Sequence, residues 1–311
     1  MEKSNFNELF ERVITYPDFD IQDRLDALVG LEDQKSRLSK MLGLLVNPSG
    51  IQEWADKHHK EANKIINFVL RRPPLLVLEG DVGSGKSELA TTIGNAVAHQ
   101  ENIEIELFPL SLSARGEGRV GQMTKLISDA FDHTIERAEK LKSQSGKSRG
   151  AVILLVDEAD ALTQSRENAQ MHHEDRAGVN AFIRGIDRLA NGKLPAAVIM
   201  CTNRLSALDP AVKRRAADIL TFGRPSDIQR RAVLKDPFTE LGLTEDQIEE
   251  IVKATGENAN CDYGFTFSDL TQRIIPAIVL DAYPNTAITA SRALEVVNTI
   301  KPTPPFKDKH E

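Results

Sequence analysis

The octapeptide Gly80-Asp81-Val82-Gly83-Ser84-Gly85-Lys86-Ser87 decides the reading of this chain. It fits the pattern GxxxxGK[ST] and stands between a short apolar run, Leu75 to Leu78, and a segment that predicts a helix from about Lys86. That context gives the pattern physical content. The glycines let successive backbone N–H groups curl around a phosphate, and the helix start adds partial positive charge. Lys86 then reaches the β- and γ-phosphates, while Ser87 offers its hydroxyl to Mg²⁺. Residues 81 to 87 are therefore candidates for binding a nucleoside triphosphate together with Mg²⁺.

Four further strand-like runs follow, at Ile103–Leu107, Ala151–Val156, Ala196–Cys201 and Ile219–Phe222, of which 151–156 and 196–201 are continuously apolar as in strands buried on both faces. Helical periodicity fills the gaps. Its clearest instance is Val120, Met123, Ile127, Phe131, Ile135, Ala138 and Leu141, a stripe that packs one helix face onto a sheet. Alternation of this kind implies an α/β fold, a parallel five-stranded sheet flanked by helices. After Gly223 strand signals cease, and helices are expected near 226–235, 244–255, 266–283 and 289–299, which together form a small all-helical domain. The expected division is a short N-terminal arm or single helix (1–24), a large nucleotide-binding domain (25–222), the helical domain (223–301) and a disordered, proline-rich tail (302–311).

Ile153-Leu154-Leu155-Val156-Asp157-Glu158 delivers two adjacent carboxylates at a strand's C-terminal end, the edge at which such sheets bind ligands. Side-chain alternation lets Asp157 hold Mg²⁺ through water while Glu158 faces the water that attacks the γ-phosphate. Val198 to Asn203 is a strand ending in an amide able to bond the γ-phosphate or that water, although asparagine after a strand is also a common turn residue. Downstream, Leu208-Asp209-Pro210-Ala211-Val212-Lys213-Arg214-Arg215 carries two arginines, either a finger acting on a neighbouring subunit's phosphate or a surface basic pair.

Composition narrows the class further. Across 311 residues, 39 Lys+Arg oppose 46 Asp+Glu for a net charge of −7, which argues mildly against nucleic acid as the main partner. The two cysteines, Cys201 and Cys261, provide no metal-ribbon spacing and no disulfide framework. Apolar runs are far too short for a membrane helix, and Met1 to Val13 does not read as a secretory signal, so a cytoplasmic protein without membrane contact is expected. His172-His173-Glu174-Asp175 is not HExxH and reads as a solvated loop.

Taken together these features resemble the AAA+ ATPase family over roughly residues 25 to 300. Leu28-Val29-Gly30-Leu31-Glu32 is similar to the family's adenine-side segment, 80–87 to its Walker A, Asp157-Glu158 to its Walker B and Asn203 to its sensor 1. Leu208-Asp209-Pro210-Ala211 followed by Arg214 resembles its LDPAxxR stretch, and the helices after 223 its lid. Within the family the likeness is to the pachytene-checkpoint branch of HORMA-domain remodellers, especially its short bacterial members in anti-phage (CBASS-type) operons. It rests on Ser113 to Phe131 around Gly121, on Asp157 to Leu162 followed by Ser165-Arg166, and on Arg215-Ala216-Ala217-Asp218-Ile219 leading to Gly223-Arg224-Pro225-Ser226.

The resemblance implies an ATP-driven homo-hexamer in which Arg214 or Arg215 completes the neighbour's site. Its client would be a HORMA-domain protein, itself able to bind a cyclic-nucleotide synthase. Two departures stand out. Gly118-Arg119-Val120-Gly121 lacks the aromatic residue of threading members, leaving Arg119 and Val120 to contact a polypeptide at the pore. Phe267-Ser268-Asp269-Leu270 replaces the branch's sensor-2 setting, with Arg273 the nearest substitute. The competing expectations are a DNA-linked AAA+ ATPase of loader or initiator type and an inactive nucleotide-binding scaffold.

Overall fold

The computed structural model describes residues 6–10, 12–111, 122–143, 147–162, 173–206, 208–258 and 261–305. Arg119 and Val120, the stretch Ser165-Arg166 and the last six residues of the tail lie outside the described residues, as do the side chains at 172–175. Two compact units divide the chain: residues 1–25, 33–79 and 87–221, and residues 26–32, 80–86 and 222–311.

The first unit is built on a sheet of six strands, β1 (Ile14–Tyr16), β2 (Leu75–Gly80), β3 (Glu104–Ser111), β4 (Gly150–Asp157), β5 (Ala196–Thr202) and β6 (Ala216–Phe222), in the spatial order β1-β3-β4-β5-β2-β6. Strands β3, β4, β5 and β2 pair in parallel, with Ile105 opposite Ala151, Leu154 opposite Val198 and Val77 opposite Met200. The helices are α1 (Phe6–Leu9), α2 (Phe19–Asp26), α3 (Glu32–Val46), α4 (Ser49–His58), α5 (Asn63–Leu70), α6 (Lys86–Glu101), α7 (Gln122–Leu141), α8 (His173–Gly192) and α9 (Pro210–Lys213). The run Val152 to Val156 is buried throughout, as expected of a strand covered on both faces. Over it the α7 stripe meets α8, where the rings of Phe131 and Phe182 pack edge to face with centroids 5.5 Å apart.

The sixth strand comes from the N-terminal arm. β1 pairs antiparallel with β3, placing Tyr16 opposite Ile105, and so covers the outer edge of β3. Tyr16 is wholly buried, and burial pushes its hydroxyl above the usual phenolic range. That hydroxyl donates to the Thr91 carbonyl of α6. Gly94 makes the fit possible, because a Cβ there would lie 2.3 Å from the tyrosine ring. Asp18 N donates to Asn95 Oδ1 at 2.7 Å, and Arg24 grips Glu88 through two bonds of 2.8 and 3.0 Å. The arm is thus fastened along α6, the helix that follows the phosphate loop.

In the second unit, α10 (Asp227–Glu240), α11 (Glu245–Ala254), a π-helical stretch (Asp269–Ile274), α12 (Ile275–Ala282) and α13 (Ala290–Thr299) enclose a core of Leu234, Phe238, Ile251, Leu270, Ile274 and Val297. Two capping boxes start the first two helices, Ser226 with Gln229 and Thr244 with Gln247. Asp269 is buried and ties the chain's end to these helices, accepting from Thr303 N at 2.9 Å and Thr303 Oγ1 at 2.7 Å.

Candidate nucleotide site

Loop 80–86 is shaped by backbone conformations that only glycine adopts without strain. At Gly80 φ is +144°, and a Cβ would stand 2.0 Å from the Phe222 carbonyl oxygen. At Gly83 φ is +73°, a Cβ would meet Thr266 Oγ1 at 2.7 Å, and the Gly83 carbonyl accepts from Ser268 N at 3.0 Å. Lys86 is buried beneath the loop, its ammonium donating to the carbonyls of Gly80 at 3.0 Å and Asp81 at 2.7 Å and to Ser84 Oγ at 3.4 Å. Ser84 is also buried and donates to the Asp81 carbonyl at 2.8 Å. The charge is held at the loop's base, and Val82 at its crown is exposed. Asp81 caps Val82 N at 3.0 Å and accepts from Arg224 Nε at 2.8 Å. Gly30 sits in the same unit: its N–H donates to Glu32 Oε1 at 3.1 Å, and its carbonyl accepts from Gln229 Nε2 at 2.6 Å.

Immediately after the loop, Ser87 Oγ donates to Asp157 Oδ1 at 3.0 Å. Both are hard oxygen donors of the kind Mg²⁺ takes, and they would hold the ion together, Ser87 by its hydroxyl and Asp157 through water. The residues present therefore fit the ion. Glu158 adopts φ +50°, a left-handed conformation rare for a residue with a side chain, and its N–H donates to Asp157 Oδ1 at 2.9 Å. The chain turns sharply there, separating the two carboxylates.

Asn203 is held in place by Asp160, a residue to which sequence reasoning assigned no role. Asp160 Oδ1 accepts from Thr202 Oγ1 at 2.8 Å and Asn203 N at 3.0 Å, and Asp160 Oδ2 accepts from Asn203 Nδ2 at 3.2 Å. One carboxylate thus aligns the end of β5 with the turn after β4 and sets the amide's orientation. The signal in the sequence is only an aspartate three positions after Asp157.

The two arginines after α9 differ. Asp209 caps that helix, accepting from Ala211 N at 2.7 Å, with Pro210 in its first turn. Arg215 makes a fork to Asp187 of α8, with bonds of 2.7 and 3.0 Å, and donates to the Ala211 carbonyl at 3.1 Å. Arg214 is exposed and its guanidinium is bonded to nothing among the described residues. Arg273 is committed within its own unit, pairing with Asp269 at 2.5 Å and donating to the Lys301 carbonyl at 3.1 Å.

A mostly parallel sheet whose strand β2 runs into a GxxxxGK[ST] loop and then α6, with paired carboxylates ending β4, defines a P-loop nucleotide-binding protein. The match extends to a family model, the ATPase family associated with various cellular activities (AAA), over residues 76–224. The chain is 66% identical over 307 residues to CD-NTase-associated protein 6 of Escherichia coli (strain MS 115-1), covering 99% of each. It superposes with a TM-score of 0.92 on a chain of the solved E. coli MS115-1 HORMA:CdnC:Trip13 complex, at 64% identity and covering 98% of this chain and 100% of that one. Rhizobiales Trip13 aligns with a TM-score of 0.76 at 57% identity, covering 95% and 100%. The chain belongs to the AAA ATPase family. No helix among the described residues is long and apolar enough to cross a membrane, and no group of three or more His, Cys, Asp or Glu among them could hold a metal ion.

Proposed function

We propose that this protein is an ATP-driven, homo-hexameric remodeller that takes apart a HORMA-domain complex in the bacterial cytoplasm and so regulates anti-phage second-messenger signalling. The observation that carries the reading is likeness over nearly the whole chain to a subunit solved together with HORMA and CdnC proteins, at a TM-score of 0.92. In the enzyme, residues 81–87 cradle the phosphates and Gly30 lies on the adenine side. Lys86 moves from the carbonyls of Gly80 and Asp81 onto the β/γ-phosphates. Ser87 and Asp157 hold Mg²⁺, which when bound neutralises phosphate charge. Glu158 takes the proton of the attacking water, and Asn203, aligned by Asp160, positions that water or the γ-phosphate.

Arg214 is the better candidate for the finger offered to a neighbouring subunit. Arg215 is already spent on Asp187, where it fixes α9 against α8 and presents Arg214 outward. Arg119 and Val120 grip the client's chain. The experiment is a trap. Glu158→Gln protein with ATP should co-elute on size exclusion with the HORMA protein of the E. coli MS115-1 complex, whereas ADP should abolish co-elution. Failure of the ATP-loaded variant to retain that protein would remove the client assignment.

A further inference from the structure

Loop 80–86 carries a carboxylate where a polyanion has to bind. Its charged residues are Asp81 and Lys86, so the loop's own charges cancel. The Asp81 side chain is only 15% exposed, and beside it lies Arg224, equally shielded, with Nε at 2.8 Å and Nη2 at 2.7 Å from Oδ2. Arg224 is fixed from every side. Nη1 donates to the Gly264 carbonyl at 2.6 Å, Nη2 to the Thr303 carbonyl at 2.7 Å, and its guanidinium carbon stands 4.9 Å over the Tyr263 ring. Thr303 is pinned in turn by buried Asp269.

We propose that Arg224 is a positioning residue for nucleotide binding: held by Gly264, Tyr263 and Thr303, it cancels the charge of Asp81 and keeps that side chain turned away from the phosphates. The inference rests on the ATPase reading above. Without Arg224 the Asp81 carboxylate keeps its bond from Val82 N but loses the guanidinium that offsets its charge, in a partly shielded site where charge–charge interactions exceed their value in water. Its repulsion of the phosphates would weaken nucleotide affinity, and removing the carboxylate as well would restore it. A residue that touched the nucleotide directly would give no such restoration.

The test is titration of the full-length protein with a fluorescent ADP analogue. Arg224→Gln keeps an amide donor at the place of Nε, beside Asp81, but drops the charge and the bonds to the carbonyls of Gly264 and Thr303, and it should bind about tenfold more weakly than the parent. The double variant Asp81→Asn/Arg224→Gln should recover to within about threefold, and Arg224→Lys, which keeps the charge, should do likewise. The deficit of Arg224→Gln should also shrink at high salt, because screening weakens repulsion between charges. Unchanged affinity in Arg224→Gln, or a double variant as weak as the single one, overturns the proposal. If the parent itself binds no ADP, the nucleotide reading fails first and this inference with it.

Discussion

Ser87 Oγ lies 3.0 Å from Asp157 Oδ1, a contact made across the sheet between the start of α6 and the end of β4. A hydroxyl and a carboxylate at that spacing are both oxygens that Mg²⁺ accepts as ligands. Ser87→Ala and Asp157→Asn should therefore each raise the Mg²⁺ concentration needed for half-maximal ATPase by about tenfold. The double variant should be scarcely worse than either, since residues acting on one ion are not additive. Magnesium titrations of steady-state turnover measure this. Independent, multiplying effects would separate the two residues.

Glu158 combines an unusual backbone with the expected proton acceptor. Glu158→Gln should keep ATP binding and cut hydrolysis by at least a hundredfold. Glu158→Gly should lose hydrolysis as well, but without the usual loss of stability on introducing glycine, because φ +50° is a conformation that glycine adopts freely. Thermal melting of both variants beside single-turnover hydrolysis checks the pair of claims. A Glu158→Gln protein with parental turnover would exclude this residue as the base.

Arg214 and Arg215 should separate by the kind of defect they produce. Arg214→Ala should abolish turnover in the assembled protein with little change in melting temperature, the signature of an exposed residue acting on a neighbour. Arg215→Ala breaks the fork to Asp187 and should lower the melting temperature as well as turnover. Mixing Arg214→Ala subunits into active protein should depress turnover more than dilution does. Turnover that falls only in proportion to dilution would contradict a finger acting between subunits.

Asp269 gives a pH dependence of defined sign. Burial pushes its carboxyl up, but the hydroxyl and N–H of Thr303, the N–H of Thr266 and Arg273 outweigh that and hold it below the usual carboxylate range. A depressed carboxyl stabilises the fold fully above its unfolded value near 3.9, and the contribution is lost as pH falls through the folded value. Asp269→Asn should cost about 2 kcal/mol at pH 7, and the gap to the parent should narrow below pH 4. Denaturation at pH 7 and pH 3 checks it. A gap independent of pH would mean that the ionised form is not what binds Thr303.

Where one rule of burial acted alone, the sequence was readable. Strands β2, β4 and β5 are continuous apolar runs because both faces are covered. β1 was not readable: three residues on an edge carry too little periodicity, and the pocket for Tyr16 depends on a glycine 78 positions later. The nucleotide residues stood out because phosphate chemistry fixes their spacing. Asp160, Arg224 and the fork from Arg215 to Asp187 did not, since each joins side chains that the fold brings together from distant segments or adjacent turns and no local pattern marks them.

The central claim is that nucleotide turnover is spent on a HORMA-domain client. The direct measurement starts from the purified complex of the E. coli MS115-1 HORMA protein with CdnC and adds this protein with Mg²⁺ and ATP, following the complex by size-exclusion chromatography. The account predicts that the complex disappears with ATP, and persists with ADP, with the Glu158→Gln protein, and with Arg119 and Val120 both replaced by glycine, the last despite near-parental basal ATPase. A complex that survives ATP in the presence of the active parent would contradict it.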